Sequence, residues 1–577
     1  MNSRPHGFAF VLHAHLPFVL NHGRWPHGAD WLNEAAAETY VPLLMMMRRL
    51  TSDGVKFKLN MGITPVLAEQ LASTAFRNEF LGYLEHKVKS AVDNEAEFAR
   101  QGQARLEELA REWRGFYQAV RNEFVVTWGG NLLNGFRSFE RDGSLEILTC
   151  AATHGYLPLL GRDTAVQAQI RTGVRTHQRH FGRSPRGIWL PECAYRPRYS
   201  WTPPVGGRWP AEVRKGVDEF LSETGVGYFM IDTHMLRGGQ AAGIYLPRFA
   251  ALKSLWARYE RETARPVDAE RSPHRPYWVC SRPDSQSPVA AFTRDPDTGT
   301  VVWSGEHGYP GDGWYLDFHK KHHPGGLRYW RVTRPRSDMA EKETYEPGRV
   351  SWRLEENATH FVQLAGALLG AKEGVRKVMT APYDAELFGH WWFEGVRWLE
   401  MVLRKFAVTE GMETVRLGDY LAEEPPEEVV SLPEGSWGQG GFHWIWLNEQ
   451  TKWTWEHVYE AEDRMEKLAG MLTAFEAAGD RRAPQFRQLL SLVARELLIL
   501  ESSDWQFLIS TFSARDYAEK RVKVHAADFS ALAGMAERMA EGWTLGPDER
   551  AKVDDIKERD FIFADTDPAW WAKSSAR

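Results

Sequence analysis

Cysteine, long apolar runs and blocks of like charge are all scarce in this 577-residue chain. Its cysteines, Cys150, Cys193 and Cys280, are too few and too scattered for a disulfide framework or a zinc cluster, and they favour a reducing compartment. No apolar run reaches the roughly 18 residues that span a bilayer, so we expect no membrane partner. The 71 Lys and Arg against 77 Asp and Glu form no basic block, which argues against a nucleic-acid partner.

The N-terminus lacks the apolar core of a signal peptide. Its apolar stretch, residues 7–12, is cut short by His13, His15 and Pro17. Hydrophobic residues at 43% and charged residues at 26% are ordinary for a soluble globular chain. Together with the cysteine usage, these features predict a cytoplasmic globular protein.

Aromatic residues are what the chain has in excess. It contains 25 Trp, 29 Phe and 18 Tyr. Aromatic faces fill cores, but this many indole rings also suits a protein that stacks flat rings such as sugars or bases. We therefore expect core packing for most of the tryptophans and ligand contact for a few of them.

Short apolar segments that end in polar residues recur along the first three quarters of the chain, and helical stretches separate most of them. They are residues 7–12, 56–63, 124–128, 187–190, 227–231, 289–292 and 377–380. Strands that alternate with helices predict an α/β fold, and a parallel-stranded barrel is favoured over a sandwich. Polar residues just past a strand are typical of a barrel rim.

Two excursions and one change of composition predict the domain organisation. Residues 84–124 have apolar residues at helical spacing and are predicted to be a helical insertion within a barrel domain, 1–425. Residues 237–275 are rich in Gly, Arg and Pro, which is typical of a lid or an irregular insertion. Beyond 425 a helical C-terminal domain, 426–577, is predicted. Its amphipathic stretches are 455–475, 485–500 and 526–540.

Two segments carry carboxylates directly after predicted strands. Glu192 follows Pro191, whose fixed backbone dihedral helps to hold the neighbouring side chain. Asp384, Glu386 and His390 stand among aromatic residues in the second segment. A glutamate at a strand end is commonly just solvated, and one of the acidic residues in the second segment could cap the following helix.

Two carboxylates from different barrel strands, with aromatic surfaces nearby, are typical of enzymes that act on glycosidic bonds. One carboxylate would attack the anomeric carbon, and the other would protonate the departing oxygen. The alternative from another class is a carbohydrate-binding or scaffold protein that has the groove without the activity.

Ordered motifs along the chain resemble those of glycoside hydrolase family 57. Four of them are HAHLP at 13–17, AATHGYLPL at 151–159, WLPECAY at 189–195 and APYDAELFGHWW at 381–392. The closing segments are SWG at 436–438, WIWL at 444–447 and SDWQF at 503–507. In their detail these motifs resemble the family's 1,4-alpha-glucan branching enzymes, and they cover most of the chain.

The resemblance implies an incomplete, seven-stranded (β/α)7 barrel with a small helical insertion and a helical C-terminal domain. It also implies a retaining mechanism in which Glu192 is the nucleophile and Asp384 is the acid/base, with Glu386 outside the catalytic pair. The implied reaction cuts an α-1,4-glucan and transfers the chain to a 6-hydroxyl, as in glycogen biosynthesis. An α-amylase or a 4-α-glucanotransferase of the same family would share both carboxylates and remains the alternative.

The resemblance further implies which residues bind the donor and acceptor glucan, and it implies no cofactor and no metal. His13, His15 and His154 would line the subsite at the cut, although a His-x-His pair at a strand end could instead hold a metal. Asp504 would reach the groove, although it could also be a carboxylate on a helix surface. The implied groove tryptophans are Trp25, Trp31, Trp303, Trp437 and Trp446.

The family also places a loop tyrosine over the active site. Tyr277 lies where this tyrosine is expected, and Tyr245 is its rival because the 237–275 excursion shifts the loop register. Such an aromatic lid would keep water away from a glycosyl enzyme.

Overall fold

The computed structural model describes residues 4–24, 26–237, 271–282, 288–305, 308–334, 336–370 and 375–573. Seven parallel strands form the central barrel. They are β1 (His6–Ala14), β2 (Leu59–Ile63), β3 (Leu145–Leu148), β4 (Gly187–Ile188), β5 (Tyr228–Ile231), β6 (Val289–Thr293) and β7 (Val378–Asp384).

Strand pairing runs around the whole ring. The order β7-β1-β2-β3 forms one continuous sheet, and β6-β5-β4 forms part of a second. Two parallel bridges join the sheets, one between Thr149 and Ile188 and the other between Arg294 and Thr380. The barrel therefore closes with seven strands where the commonest β/α barrel has eight. The predicted incomplete (β/α)7 barrel is confirmed.

The strands are buried on both faces, as expected for parallel strands covered by helices. All nine residues of β1 are buried. Ala9 and Val11 belong to the cluster that fills the barrel interior. Phe8 and Phe10 point the other way and pack on Phe361, with ring centroids 5.7 and 5.8 Å apart. Both faces of β1 pack against apolar residues, which explains why the sequence of this strand is an apolar run without polar alternation.

Among the residues that the structure describes, five short strands lie outside the ring. Tyr277–Val279 pairs antiparallel with β6 and parallel with Val429–Val430. Met412–Thr414 pairs with the first residues of β1. Tyr199–Trp201 and Glu212–Arg214 form an antiparallel pair.

The strand predicted at 124–128 is wrong. Glu123–Thr127 is a π-helical turn that continues the helix Ala104–Asn122. Phe124 is buried whereas Val126 is 72% exposed, which is the one-sided burial of a helix end. The missing barrel strand is Leu145–Leu148, whose four residues include Glu146 and therefore give a weak apolar signal.

Helices surround the barrel, and one long helical hairpin extends from it. The surrounding helices are Ala29–Ala35, Val41–Ser52, Pro65–Ala72, Leu132–Arg141, Asp163–Phe181, Val217–Thr224, Thr233–Arg237, Pro296–Trp303, Pro347–Leu369, Gly395–Phe406 and Leu417–Glu423. A π-turn, Ala36–Tyr40, joins the first two. Single 3-10 turns lie at Leu157–Leu159, Pro191–Cys193, Tyr309–Gly311, Met339–Glu341, Ala385–Leu387, Gln439–Gly441 and Pro568–Trp571.

The helical hairpin consists of Thr74–Arg100 and Ala104–Asn122, so it begins earlier than the predicted insertion. Polar contacts attach it to the loops of the barrel. The Trp113 indole N–H donates to the Arg328 carbonyl at 2.6 Å, and the Tyr117 hydroxyl donates to Glu38 at 3.1 Å. The hairpin is therefore fixed relative to the barrel rather than held by a linker.

Helices also make up most of the chain after residue 450. They are Lys452–Ala477, Ala483–Leu500, Asp504–Thr511, Arg515–Ala540 and Pro547–Arg559. Buried polar contacts tie them to the barrel: Gln169 donates to Glu501 at 2.7 Å, and Arg521 donates to the Phe18 carbonyl at 2.6 Å. These contacts hold the start of Asp504–Thr511 at the ends of β1 and β3.

Within the described residues, no helix is long and apolar enough to cross a membrane. Of the predicted irregular segment 237–275, residues 238–270, including Tyr245, lie outside the described part of the chain.

Candidate active site

Glu192 lies four residues after the end of β4, on the single turn Pro191–Cys193. The backbone φ angle is 58° at Glu192 and 47° at Cys193, in the left-handed region that residues other than glycine rarely adopt. Such conformations cost about 1–3 kcal/mol each and persist where the surroundings enforce them. Here the backbone N–H of Trp437 donates to the Glu192 carbonyl at 3.1 Å, so a distant segment holds the turn.

The Glu192 carboxylate is enclosed by aromatic rings. The Trp437 indole N–H donates to Oε2 at 2.7 Å, and Nδ1 of His154 lies 4.0 Å from Oε1. Its side chain remains 17% exposed. Burial raises the pKa of Glu192 to about 8; the Trp437 hydrogen bond opposes this rise, and the charges of Asp384 and Asp504 add to it.

Asp384 is the last residue of β7 and lies beside His13 of β1 in the strand register. Its charge contributes to the raised pKa values of both Glu192 and Glu386. The structure therefore brings the two predicted catalytic carboxylates into one electrostatically coupled site at the carboxyl ends of the strands.

Three stacked histidines, His13, His15 and His154, lie next to the carboxylates. His13 lies flat on Trp189, with ring centroids 4.4 Å apart and an interplanar angle of 7°. His15 stacks on His154 at 4.0 Å, and Nε2 of His13 lies 3.2 Å from Nε2 of His154. Burial lowers the pKa of His13 and of His154 well below the usual value, so both rings are neutral.

The C-terminal helices supply the partners of this histidine layer. Nε2 of His15 lies 3.0 Å from Oδ1 of Asp504, and Nδ1 of His154 lies 2.9 Å from the Ser503 hydroxyl. Although burial disfavours its charge, pairing with His15 holds the pKa of Asp504 below its usual range. Asp504 is thus partly buried beside the histidines and is not a solvated carboxylate on a helix surface.

Glu386 is buried beneath the end of β1 and contacts the backbone of His15. It is 4% exposed, and its Oε1 accepts the backbone N–H of His15 at 3.1 Å and the Tyr40 hydroxyl. Burial raises its pKa to about 8, although the Tyr40 hydrogen bond opposes the rise. These contacts fix the end of β1, which agrees with a place for Glu386 outside the catalytic pair.

An ion pair beside Trp437 was missed by the sequence reasoning. Asp232 and Arg294 follow β5 and β6 directly, and their side chains meet at 2.6 Å. The Arg294 guanidinium lies over the Trp437 ring, with 5.6 Å from its carbon to the ring centroid. Their position just past two strand ends was the signal that could have identified them.

The predicted groove tryptophans differ in their positions. Trp437 is 4% exposed, and its ring centroid lies 5.1 Å from that of Trp189 and 6.4 Å from that of Trp303. Trp31 is partly buried and makes an edge contact with Tyr517 at 5.6 Å. Trp25 lies outside the described residues.

The structure does not place Trp446 in the groove. It is 1% exposed, and its ring stacks on Tyr156 with centroids 4.3 Å apart. Its backbone carbonyl accepts the indole N–H of Trp455 at 2.9 Å. Trp446 is therefore a core residue that joins the C-terminal helices to the barrel.

The structure also does not support Tyr277 as the lid. It lies in the strand Tyr277–Val279, is fully buried, and packs with the residues outside the barrel, whereas its neighbour Trp278 packs with the barrel interior. The Tyr277 hydroxyl donates to the Ser272 carbonyl at 3.0 Å. Because successive side chains of a strand point to opposite faces, Tyr277 faces away from the site.

Comparison with known proteins agrees with this site. Residues 9–433 match the model of glycosyl hydrolase family 57, and the chain belongs to that family. Residues 457–571 match the C-terminal region of 1,4-alpha-glucan branching enzymes, the region that supplies Ser503 and Asp504.

Curated relatives point to the same subgroup. The chain is 41% identical over 558 residues to a 1,4-alpha-glucan branching enzyme of Thermococcus kodakarensis, covering 96% of this chain and 77% of the relative. It is 30% identical over 559 residues to a probable 1,4-alpha-glucan branching enzyme of Mycobacterium tuberculosis, covering 93% and 95%.

Solved structures share the whole fold. The family 57 branching enzyme of Thermococcus kodakaraensis superposes with a TM-score of 0.87 at 39% identity, over 99% of this chain and 97% of that one. The branching enzyme of Pyrococcus horikoshii gives 0.85 at 39% identity, over 99% and 98%. The alpha-amylase AmyC of Thermotoga maritima gives 0.79 at 27% identity, over 99% and 100%.

Proposed function

We propose that the protein is a 1,4-alpha-glucan branching enzyme that cuts an α-1,4-glucan and transfers the chain to a 6-hydroxyl, forming an α-1,6 branch. The observation that carries the proposal is the coupled pair Glu192 and Asp384, enclosed by Trp437 and Asp504 from the C-terminal part of the chain. Branching enzymes similar over most of the chain support the choice of reaction.

In the first step the Glu192 carboxylate attacks the anomeric carbon while Asp384 protonates the departing glycosidic oxygen. This gives a covalent glycosyl enzyme and releases the cut end of the donor. The step needs charge on Glu192 and a proton on Asp384. The indole N–H of Trp437 favours this distribution because it stabilises the Glu192 anion, whereas burial opposes it.

In the second step Asp384 acts as a base. It removes the proton of the acceptor's 6-hydroxyl, whose oxygen then displaces Glu192 from the anomeric carbon. The neutral rings of His13 and His154 offer hydrogen bonds to the sugar hydroxyls without adding charge to the site.

Transfer requires that an acceptor hydroxyl compete with water for the glycosyl enzyme, so solvent must be excluded while the intermediate waits. Two contacts to the C-terminal part of the chain serve this purpose. Trp437 covers one edge of Glu192, and Asp504 closes the site beside His15. Both side chains are largely buried, at 4% exposed for Trp437 and 15% for the Asp504 side chain.

An α-amylase is the second candidate, because the Thermotoga maritima alpha-amylase has the same overall fold. Product linkage separates the two. After incubation with amylose and treatment with a debranching enzyme, a branching enzyme yields short linear chains, whereas an amylase yields reducing ends before debranching. A 4-α-glucanotransferase changes chain length without making debranchable products, and a binding protein changes nothing. Glu192→Gln is the matched control.

We further propose that the enzyme works on a glycogen-like glucan in the cytoplasm. All three cysteines are free thiols, which suits a reducing compartment. Measuring the glucan branch frequency in cells with and without the gene, together with fractionation of the protein, tests this proposal.

A further inference from the structure

Three potential metal ligands lie together at the carboxyl ends of β1 and β3. One ring nitrogen of His13, one ring nitrogen of His154 and the sulfur of Cys150 are all within 4.8 Å of one another. His13 and His154 are each 3% exposed, and Cys150 is fully buried. The proposed mechanism uses the two histidines for sugar contact and gives Cys150 no role.

The hydrogen bonding of His13 is incomplete. Nδ1 of His13 is buried without a hydrogen-bond partner in the structure, although a buried polar atom of this kind is normally paired. On the opposite edge of that ring, Nε2 of His13 contacts Nε2 of His154 at 3.2 Å, a contact that a shared cation would replace. This distance is close to the spacing of about 3.3 Å between two nitrogens that each lie about 2.0 Å from one tetrahedral zinc ion.

The chemistry of the donors selects the type of cation. Two imidazoles and one thiolate suit zinc and cadmium, whereas magnesium and calcium prefer oxygen ligands. On binding, the Cys150 thiol would release its proton to solvent, and the two imidazoles would bind in their neutral form. The charges of Glu192 and Asp504 act on Cys150 and would offset the remaining positive charge.

Access would come from the glucan groove. The side chains of Glu192 and His15, which flank the cluster, remain 17% and 12% exposed. A cation that enters there would hold the rings of His13 and His154 and would occupy the space beside the nucleophile. Glucan and cation would therefore compete for the same side chains.

We propose that His13, Cys150 and His154 form an inhibitory binding site for a zinc-like divalent cation. Binding removes the two rings from sugar contact and so stops turnover, while the apo form is the active enzyme. The site is distinct from the catalytic carboxylates and requires no metal for the reaction itself.

A second cluster, His22, His525 and Asp560, provides a contrast. Both ring nitrogens of His525 are already engaged, one with Glu496 at 2.7 Å and the other with Arg521 at 2.9 Å. The Arg521 guanidinium would also repel a cation. We therefore expect no metal there, and His22→Gln serves as a control variant.

The test measures binding and activity separately on the full chain after EDTA treatment and removal of the chelator. We expect zinc chloride titrated in a calorimeter to bind at one site per chain, and the same amount of zinc to abolish glucan turnover. Cadmium should produce thiolate-to-metal absorption in the ultraviolet. Magnesium chloride should do neither, and renewed EDTA should restore activity.

Cys150→Ser should weaken zinc binding about 100-fold or more, since it removes the thiolate ligand, whereas Cys280→Ser and His22→Gln should leave binding unchanged. Equal zinc affinity in Cys150→Ser, or no thiolate absorption in the wild type, would overturn the proposal. If Cys150→Ser does not fold, a malto-oligosaccharide added to the wild type replaces it: zinc affinity must fall as the groove fills, and an unchanged affinity overturns the proposal. Zinc binding and thiolate absorption are measured without glucan or turnover, so their failure is separate from failure of the proposed activity. The malto-oligosaccharide arm rests on the proposed function, and glucan binding measured without zinc separates the two failures.

Discussion

The segments that carry the two proposed catalytic carboxylates are built in different ways. Asp384 ends a regular strand whose register with β1 continues up to it. Glu192 follows a two-residue strand, sits on a left-handed turn, and depends on Trp437, 245 residues away, for a hydrogen bond to its carboxylate. The backbone of the proposed acid/base is therefore set by the strand register of the barrel, whereas the proposed nucleophile depends on the barrel and the C-terminal part of the chain together.

This difference has a consequence for how activity depends on the C-terminal part of the chain. Changes that disturb the contacts of Trp437 should act on the nucleophile and spare Asp384. The coupling also has a direction, because the Trp437 hydrogen bond stabilises the Glu192 anion that the first step needs.

The largest expected effect comes from removing either carboxylate. Glu192→Gln and Asp384→Asn should each lower kcat by about a thousandfold or more, because each removes a group that acts on reacting atoms. Initial rates of debranchable product from amylose measure this, with circular dichroism to show that the fold is intact.

Azide distinguishes the two roles. It should restore turnover to Glu192→Ala, since a small anion can take the place of the nucleophile. Wild-type-like branching by either carboxamide variant contradicts the assignment of that residue.

The next prediction concerns Trp437→Phe, which keeps a ring and removes the N–H donor. Glu192 must be ionised to attack, so kcat/KM should rise with pH up to the pKa of about 8 in the free enzyme. Loss of the hydrogen bond raises this pKa further, and a bond to a charged group is worth about 1.5–3 kcal/mol, so the acid limb should move up by about one to two pH units.

The control for Trp437→Phe is Trp303→Phe, which changes the neighbouring ring. It should lower kcat/KM without moving the acid limb. If both variants keep the wild-type limb, the indole N–H does not set the ionisation of Glu192, and the contrast between the two carboxylates fails.

A moderate effect is expected for Asp504→Asn. The carboxylate pairs with Nε2 of His15, whose ring stacks on His154. Replacing it with a neutral amide removes one charge-assisted contact, so kcat/KM should fall about 10- to 100-fold. Steady-state rates on amylose measure the loss, with Asp516→Asn, on the neighbouring C-terminal helix, as the control. A loss as large as that of Glu192→Gln would instead make Asp504 part of the catalytic machinery.

The sequence predicted the parts of this site that are local. His13 and Asp384 lie in the last two residues of β1 and β7, and His15 and Glu192 follow β1 and β4 by one and four residues. Strand ends in an α/β barrel face the site. The same rule applies to Asp232 and Arg294, which carry no recognisable motif and were missed.

Long-range packing could not be predicted. A short segment such as WIWL at 444–447 does not say which of its rings turns inward, and Trp446 turned out to stack on Tyr156 in the core. The false strand at 124–128 has the same origin, because an apolar run at the end of a helix resembles a short strand. The orientation of Trp446 and the conformation of residues 124–128 depend on which distant residues pack against each segment. The sequence of the segment itself does not specify those residues.

The smallest expected effect belongs to Tyr277→Phe. The hydroxyl donates to the Ser272 carbonyl and accepts from Arg275, and the ring faces away from the barrel interior. Its loss should cost about 1 kcal/mol of unfolding free energy, the usual worth of a buried hydrogen bond, and should leave the ratio of branching to hydrolysis unchanged. Reducing ends and debranched chains, measured in one reaction, give that ratio, and urea unfolding gives the stability. A rise in hydrolysis at unchanged stability would show that Tyr277 does exclude water from the glycosyl enzyme, and that solvent exclusion does not depend on Trp437 and Asp504 alone.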